Sequence, residues 1–211
     1  MSDKEFVIYK KPILYNQIVF EDTHAYCLNL LMNGKPCPAY KQNWACPPYS
    51  PTYLQTKERL LHYTSFLIIL YEYNLVYRQK YLHAKHPDWD QKKIEQNALN
   101  SHLYNSTIYW GLRKILKPYI KASGMLGTYV LGNSNCRLCA KCARKTNEPC
   151  RHPTQRIYSM EAAGINVDQS LRNIGYVLEW PPTTKVVQVG LIVFRELNPP
   201  SSPQKVAEQQ S

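Results

Sequence analysis

At 211 residues, 44% of them hydrophobic, the chain can bury the core of one ordinary domain without disulfide staples. Twenty-six Lys and Arg against 15 Asp and Glu leave a net charge of +11, which suits an anionic partner. The charged start Met1-Ser2-Asp3-Lys4-Glu5 and the short longest apolar run, Phe66 to Tyr71, argue against a signal peptide and a membrane span, so a cytoplasmic protein is expected.

In chain order, Phe6-Val7-Ile8-Tyr9 and Gln17-Ile18-Val19-Phe20 read as short strands around Lys11-Pro12. From Cys27 to Pro51 no period lasts, and Pro, Asn, Gly and Tyr predict a long structured loop that carries Cys27, Cys37 and Cys46. Ser50-Pro51 is a helix-start signal for Tyr53 to Tyr63, with Leu54, Leu60 and Leu61 facing inward. Ser65 to Tyr73 is apolar on both faces, as a central strand is. Arg78 to Pro87 reads as a polar loop. Asp88 to Gln91 then opens a long helix with Ile94, Ala98, Ile108, Leu112 and Ile115 at core spacing, which Pro118 kinks or ends and Ser123-Gly124 closes. Gly127 to Leu131 is a second strand that runs into the cysteine cluster. Short helices over Ser159 to Ala163 and Asp168 to Ile174, closed by Gly164 and Gly175, precede a last strand from Val186 to Phe194.

This order predicts an α/β fold: one metal-binding domain over residues 1–198, with a mixed, mostly parallel sheet flanked by helices and the cysteine loops 27–50 and 132–158 at one sheet edge. Residues 199–211 have the composition of a disordered tail. If the long helix is a right-handed crossover between parallel strands, Cys46 and Cys136 leave the sheet at the same edge and the two cysteine groups converge.

In a reducing compartment, seven cysteines with four between Cys136 and Cys150 read as metal ligands rather than a disulfide framework. Cys136-Arg-Leu-Cys139-Ala-Lys-Cys142 is a C-x2-C-x2-C triplet, and Cys150 follows after seven residues. That spacing sets successive thiolates on one side of a tight loop and leaves backbone N–H groups free to donate to sulfur, which suits a cubane iron-sulfur cluster. Structural zinc usually takes two C-x2-C pairs and is the alternative. A ferredoxin run would place Cys-Pro three residues after the triplet. Here Cys150 comes later and precedes Arg151-His152-Pro153, so the match is to the triplet alone. Cys37-Pro38 and Cys46-Pro47-Pro48 do carry the Cys-Pro pair, in which proline stiffens the chain beside a ligand. One arrangement gives Cys136, Cys139, Cys142 and Cys150 a single cluster and leaves Cys27, Cys37 and Cys46 as a second three-thiolate site with an open metal position. Cys27 equally reads as a small buried hydrophobe. There is no C-x3-C-x2-C triplet, Gly-rich phosphate loop, H-E-x-x-H or G-x-S-x-G.

Arg137, Lys141, Arg144, Lys145, Arg151, His152 and Arg156 crowd the cluster loop, where cations offset a cluster's negative charge or dock an acidic redox partner. Arg151 and His152, next to Cys150 in a Pro-flanked turn, are candidate cofactor-binding residues. For His152 a capping role is the leading reading, and for Arg144 and Lys145 a solvated face is as good. Glu161 reads as a helix-dipole partner ahead of a general acid. Tyr40, Tyr49, Tyr53 and Tyr158 read as half-buried packing ahead of base stacking.

The stretch Gly132 to Val167, with Cys136-x2-Cys139-x2-Cys142, Cys150-Arg151-His152-Pro153 and Ser159-Met160-Glu161-Ala162-Ala163-Gly164-Ile165-Asn166-Val167, together with Cys37 and Cys46-Pro47-Pro48-Tyr49, resembles the predicted metal-binding proteins grouped as domain of unknown function 2284. The likeness covers most of residues 27 to 175. It implies metal binding of iron-sulfur type in a prokaryotic cytoplasm and brings no established reaction. Asn166 stands where the pattern has aspartate, which speaks against acid-base chemistry there.

Three functions follow in order of preference. The first is an iron-sulfur protein, 4Fe-4S in type with one cluster or two, that passes electrons to an acidic partner protein. The second is a lyase, desulfidase or reductase that binds an anionic small molecule at an open iron. The third is a zinc-stabilised nucleic-acid module. None of them involves a membrane.

Overall fold

The computed structural model describes residues 5–29, 36–104, 110–122 and 127–195. The expectations for Ile108, Ser123-Gly124 and the tail 199–211 fall outside them. The described residues hold seven strands: β1 (Phe6–Pro12), β2 (Val19–Phe20), β3 (Ser65–Asn74), β4 (Thr128–Gly132), β5 (Tyr158–Ser159), β6 (Ile165–Asn166) and β7 (Lys185–Phe194). Six α-helices accompany them among the described residues: α1 (His24–Asn29), α2 (Tyr53–Leu60), α3 (Leu75–Lys85), α4 (Gln91–Tyr104), α5 (Gly111–Ala122) and α6 (Val167–Arg172). No helix among the described residues is long and apolar enough to cross a membrane.

The main sheet has the order β1-β3-β7-β4-β5, and β2 and β6 pair separately. β3 and β4 run in the same direction, as expected of a crossover, but they are not neighbours. The last strand, β7, lies between them and is antiparallel to both. β1 is also antiparallel to β3, so the mixed sheet is mostly antiparallel rather than mostly parallel, and β4 with β5 is its parallel pair. The cause is β7, apolar over most of its length, which matches β3 residue for residue from Ser65↔Phe194 to Asn74↔Lys185 and buries both its faces in the centre.

Alternation along β3 splits the core between two faces. Ile68 and Leu70 point with Leu60, Leu131, Met160, Ile165 and Leu191 toward the side that carries the cysteine segments. Ile69, Tyr71 and Tyr73 point with Leu82, Ile94, Ala98, Leu112 and Leu116 toward α3, α4 and α5. Gly111 lets α5 approach closely, since a Cβ there would lie 2.2 Å from the Tyr71 ring. Pro118 sits inside α5 rather than ending it. The burial of Leu112 and Leu116 outweighs the hydrogen bond that a proline removes.

Three local readings need correction. Residues 78–85, read as loop, belong to α3. Its signal was faint: Asn74 caps it by accepting from the Tyr77 N–H at 3.0 Å, and only Leu75 and Leu82, two turns apart, are buried among polar residues. Cys27 lies in the short helix α1, not in a loop. Of the three leucines assigned inward on α2, only Leu60 is buried, while Leu54 and Leu61 are 60% and 62% exposed. The helix is a single short amphipathic turn pair that rests on the sheet by one residue row.

Gly164 links α2 to the second half of the chain. It closes the 3-10 turn Glu161–Ala163 at φ +77°, and a Cβ on it would lie 2.4 Å from Tyr53 Cα at the start of α2. Gly164→Ala therefore meets both an unfavourable backbone and a clash with main chain, at a cost of about 2 kcal/mol. For a chain of this size the expected fall in thermal midpoint is roughly 4–8 °C by circular dichroism. An unchanged midpoint would mean that α2 does not seat on this turn.

Candidate metal centre

Parallel pairing of β4 with β5 requires the chain to return before it can pair, and such crossovers usually contain an α-helix. Here residues 133–157 make the crossover with no α-helix, only the 3-10 turn Ala143–Thr146. All four clustered cysteines lie in this irregular segment, so its few local hydrogen bonds and its cross-contacts must hold it.

Those cross-contacts come from the segment around Cys46. Asn43 is buried, and its side chain works in both directions. Its oxygen accepts from the Ala45 N–H at 2.9 Å, and its amide donates to the Cys136 carbonyl at 2.9 Å. The Trp44 indole N–H donates to the Glu148 carbonyl at 2.9 Å. Arg144 closes the join: its guanidinium lies 5.4 Å from the Trp44 ring centre and 4.6 Å from that of Tyr49, and it donates to the Tyr49 hydroxyl and to Asn147 Oδ1. Arg144 is thus a half-buried clamp, not a solvated side chain, whereas Lys145 is exposed as that alternative had it. Sequence reading missed Asn43 and Trp44 because neither belongs to a spacing pattern. Their one signal was proximity to Cys46-Pro47.

All seven cysteines are free thiols. Cys136, Cys139, Cys142 and Cys150 wall one tight cavity of about 20 Å³ together with Arg151, His152 and Arg156. The triplet also walls a larger groove of about 530 Å³, which Cys37 lines as well. The triplet therefore forms the partition between the two spaces. Among the described residues, no three His, Cys, Asp or Glu side chains meet closely enough to hold a single metal ion.

Cys27, Cys37 and Cys46 form the neighbouring group. The Cys37 N–H donates to the Cys27 carbonyl at 2.9 Å, which ties the loop back to α1. Desolvation, then the Cys37 thiol and the Glu161 carboxylate, push the Cys27 thiol up to about 11. Burial, then Cys37, Cys27, Cys136 and Cys142, push Cys46 up to about 12. Cys46 therefore feels thiols of both groups, and the convergence expected from strand direction is present. α1 reaches this place because the Thr23 hydroxyl donates to the Glu161 carbonyl and His24 Nε2 lies 3.0 Å from the Ala162 carbonyl.

The remaining candidates divide. Arg151 and His152 are exposed at the rim of the tight cavity, Arg151 in an ion pair with Glu148 at 3.4 Å that contributes little in solvent. Arg156 stacks over Tyr158 at 5.1 Å, and its Nε is buried without a hydrogen-bond partner in the wall that the cysteines share. Tyr49 and Tyr158 are packing residues, one edge-on to Trp44 at 4.8 Å and the other buried. Glu161 keeps solvent contact, yet the protein around it removes enough water to hold its carboxyl above the ordinary 4.5. Asn166 caps α6 by accepting from the Gln169 N–H at 2.9 Å and donates to Glu21 at 2.9 Å, a second bond that an aspartate would replace with repulsion.

Soft sulfur donors of this number fit iron-sulfur or zinc rather than hard cations, and the orphaned Arg156 Nε–H fits a site meant to face sulfur or another anion. No curated protein and no solved structure matches the chain. A family model described as a predicted metal-binding protein, domain of unknown function 2284, matches residues 18–194.

The raised thiols have a measurable consequence. Unfolded cysteines ionise near their ordinary 9.0, while folded Cys27 and Cys46 hold their protons to about 11 and about 12. Above pH 9 the folded metal-free protein binds more protons than the unfolded chain, so its stability falls as pH rises. Thermal midpoints of metal-free protein should drop between about pH 9 and pH 11, and less steeply in Cys46→Ala. Parallel pH curves for the two proteins would remove Cys46 from that role.

Proposed function

The chain belongs to the family of predicted metal-binding proteins termed domain of unknown function 2284, and on that basis we propose that its metal is an iron-sulfur cluster of the 4Fe-4S type, held by Cys136, Cys139, Cys142 and Cys150 and used for electron transfer. The observation that carries this reading is the gathering of these four cysteines around one cavity in a crossover that has no helix to organise it. One zinc would need its sulfurs to converge at about 2.3 Å from a single point. The triplet instead borders two spaces, a tight one shared with Cys150 and a groove shared with Cys37, which suits a polynuclear group better than a single ion.

Such a cluster supplies one-electron transfer at a potential set by nearby charges and hydrogen bonds. The chain's own residues provide those influences. Arg156 brings positive charge from the packed side, and its Nε–H is a donor on offer. Arg137, Lys141 and Lys145 line the open groove. Arg151 and His152 stand at the exposed rim, where an acidic partner protein would meet them and be oriented by charge.

A second reading has an observation of its own. Cys27, Cys37 and Cys46 influence one another, and Cys37 lines with the triplet a groove that a small molecule could enter. A metal held by three thiolates there would keep an open position, as a lyase, desulfidase or reductase acting on an anionic substrate requires.

Anaerobic purification with iron, sulfide and zinc analysis tests both. The expected product is brown, absorbs near roughly 400 nm and carries about four irons per chain. Cys139→Ser should lose the colour and the iron, whereas Cys27→Ser should keep about four irons. A colourless protein with one zinc, or a fully coloured Cys139→Ser, would sink the assignment. Iron well above four per chain that falls back in Cys46→Ser would establish the second site. Retention of the cluster in Cys150→Ser but not in Cys37→Ser would move the fourth ligand to Cys37.

A further inference from the structure

Helix α5, GLRKILKPYIKA, has four cations, Arg113, Lys114, Lys117 and Lys121, and no acidic residue. Its apolar row, including Leu112 and Leu116, is buried on the sheet, so the cations are left on the outer side, three of them exposed and Arg113 half-buried. Arg113, Lys117 and Lys121 repeat every four residues, and like charges at that spacing oppose each other unless something negative lies over them. The ion pairs among the described residues join other partners and leave this row out.

The row forms one wall of a concave cavity of about 800 Å³, a size usual for small-molecule sites. The opposite wall is the cysteine crossover itself, with Arg137 as a further cation and Thr154 and Gln155 as neutral hydrogen-bonding groups. Trp110, Leu138 and Ile157 supply apolar surface. The Trp110 indole has Arg113 at 5.4 Å and Arg137 at 5.8 Å from its ring centre, so the aromatic face and the positive charge are presented together. Trp110 and Arg137 also line the groove that contains Cys37 and the cysteine triplet, which makes the two spaces adjacent.

We infer that this cavity binds a nucleotide-class anion, its ring system against Trp110 and the neighbouring apolar surface and its phosphates on Arg113, Lys117 and Lys121. Five cations without an acidic residue in the wall call for more than one negative charge, and the apolar floor calls for a flat, poorly hydrated body attached to it. A concave space of about 800 Å³ suits a small molecule better than the surface of a folded acidic protein. The ligand would lie beside the cysteines, as a substrate or effector of that centre must. Binding here does not require the metal assignment to hold, since no proposed ligand cysteine lines the cavity.

Titration of the metal-loaded protein with ADP by calorimetry at ~0.15 M salt, where loose surface attraction is screened, is the test. Saturable one-to-one binding is expected, with inorganic pyrophosphate weaker than ADP because it lacks the ring. Lys117→Ala/Lys121→Ala should weaken ADP binding roughly tenfold or more with metal content and thermal midpoint unchanged, since both side chains are exposed. Trp110→Ala should abolish the advantage of ADP over pyrophosphate, and if that variant does not fold, the comparison of the two ligands on the unaltered protein stands in for it. The proposal is overturned by no saturation up to about 1 mM ADP, by equal affinity of the double variant, or by a single-stranded oligonucleotide that binds far more tightly than ADP. Metal analysis of the same samples reports separately on the cysteine site.

Discussion

Because β4 and β5 point the same way, the chain must travel back between Gly132 and Tyr158 before it can pair again. In most folds a helix makes that return and satisfies its own backbone on the way. Here the return is irregular, and its order is borrowed from elsewhere: from the Asn43 amide on the Cys136 carbonyl, the Trp44 indole on the Glu148 carbonyl, and Arg144 against Trp44 and Tyr49. A hydrogen bond of this kind contributes about 1 kcal/mol, and loss of a buried partner costs more than that. Three such joins place two otherwise independent loops in register. Cys37 of one loop and the triplet of the other thereby come to line one groove, which neither loop builds alone.

The second consequence of that crossover is electrostatic. The segment is rich in cations, and the packing sorts them by depth. Arg144 and Arg156 are half-buried against aromatic rings, Arg137 faces α5 across a cavity, and Lys145, Arg151 and His152 remain in solvent. Charges held near thiols in partly dry surroundings act more strongly than the same charges in water. Arg156, half-buried in the wall that the cysteines share, is therefore the arginine best placed to act on them, while Arg151 and His152 stand exposed at the rim. Membership of a predicted metal-binding family agrees with a chain organised in this way.

Strong local patterns were legible before any coordinates. The strands over 65–73 and 186–194 and the start of α2 appear within a few residues of their expected bounds, because long apolar runs act at short range, although the residue that caps α2 is Thr52 and not Ser50. Weak patterns were not. In α3 two buried leucines with six mostly polar or aromatic positions between them do not form a periodic signal, and α1 is too short to produce one. Neighbours in the sheet were misjudged for a different reason: the position of β7 depends on pairing with a strand more than a hundred residues earlier, and hydropathy carries no such address.

By itself the sequence determined which side chains are on offer, seven thiols with cations alongside, and the close spacing of the triplet, since both are covalent facts. It also determined that the two cysteine segments have little regular structure of their own. Tertiary structure alone decided that the segments meet, that Asn43 and Arg144 join them, and that a row of α5 cations faces the crossover across a cavity. The physical reason is that each of these contacts joins residues distant in the chain, whose approach is set by how sheet strands pair and helices pack rather than by any local preference.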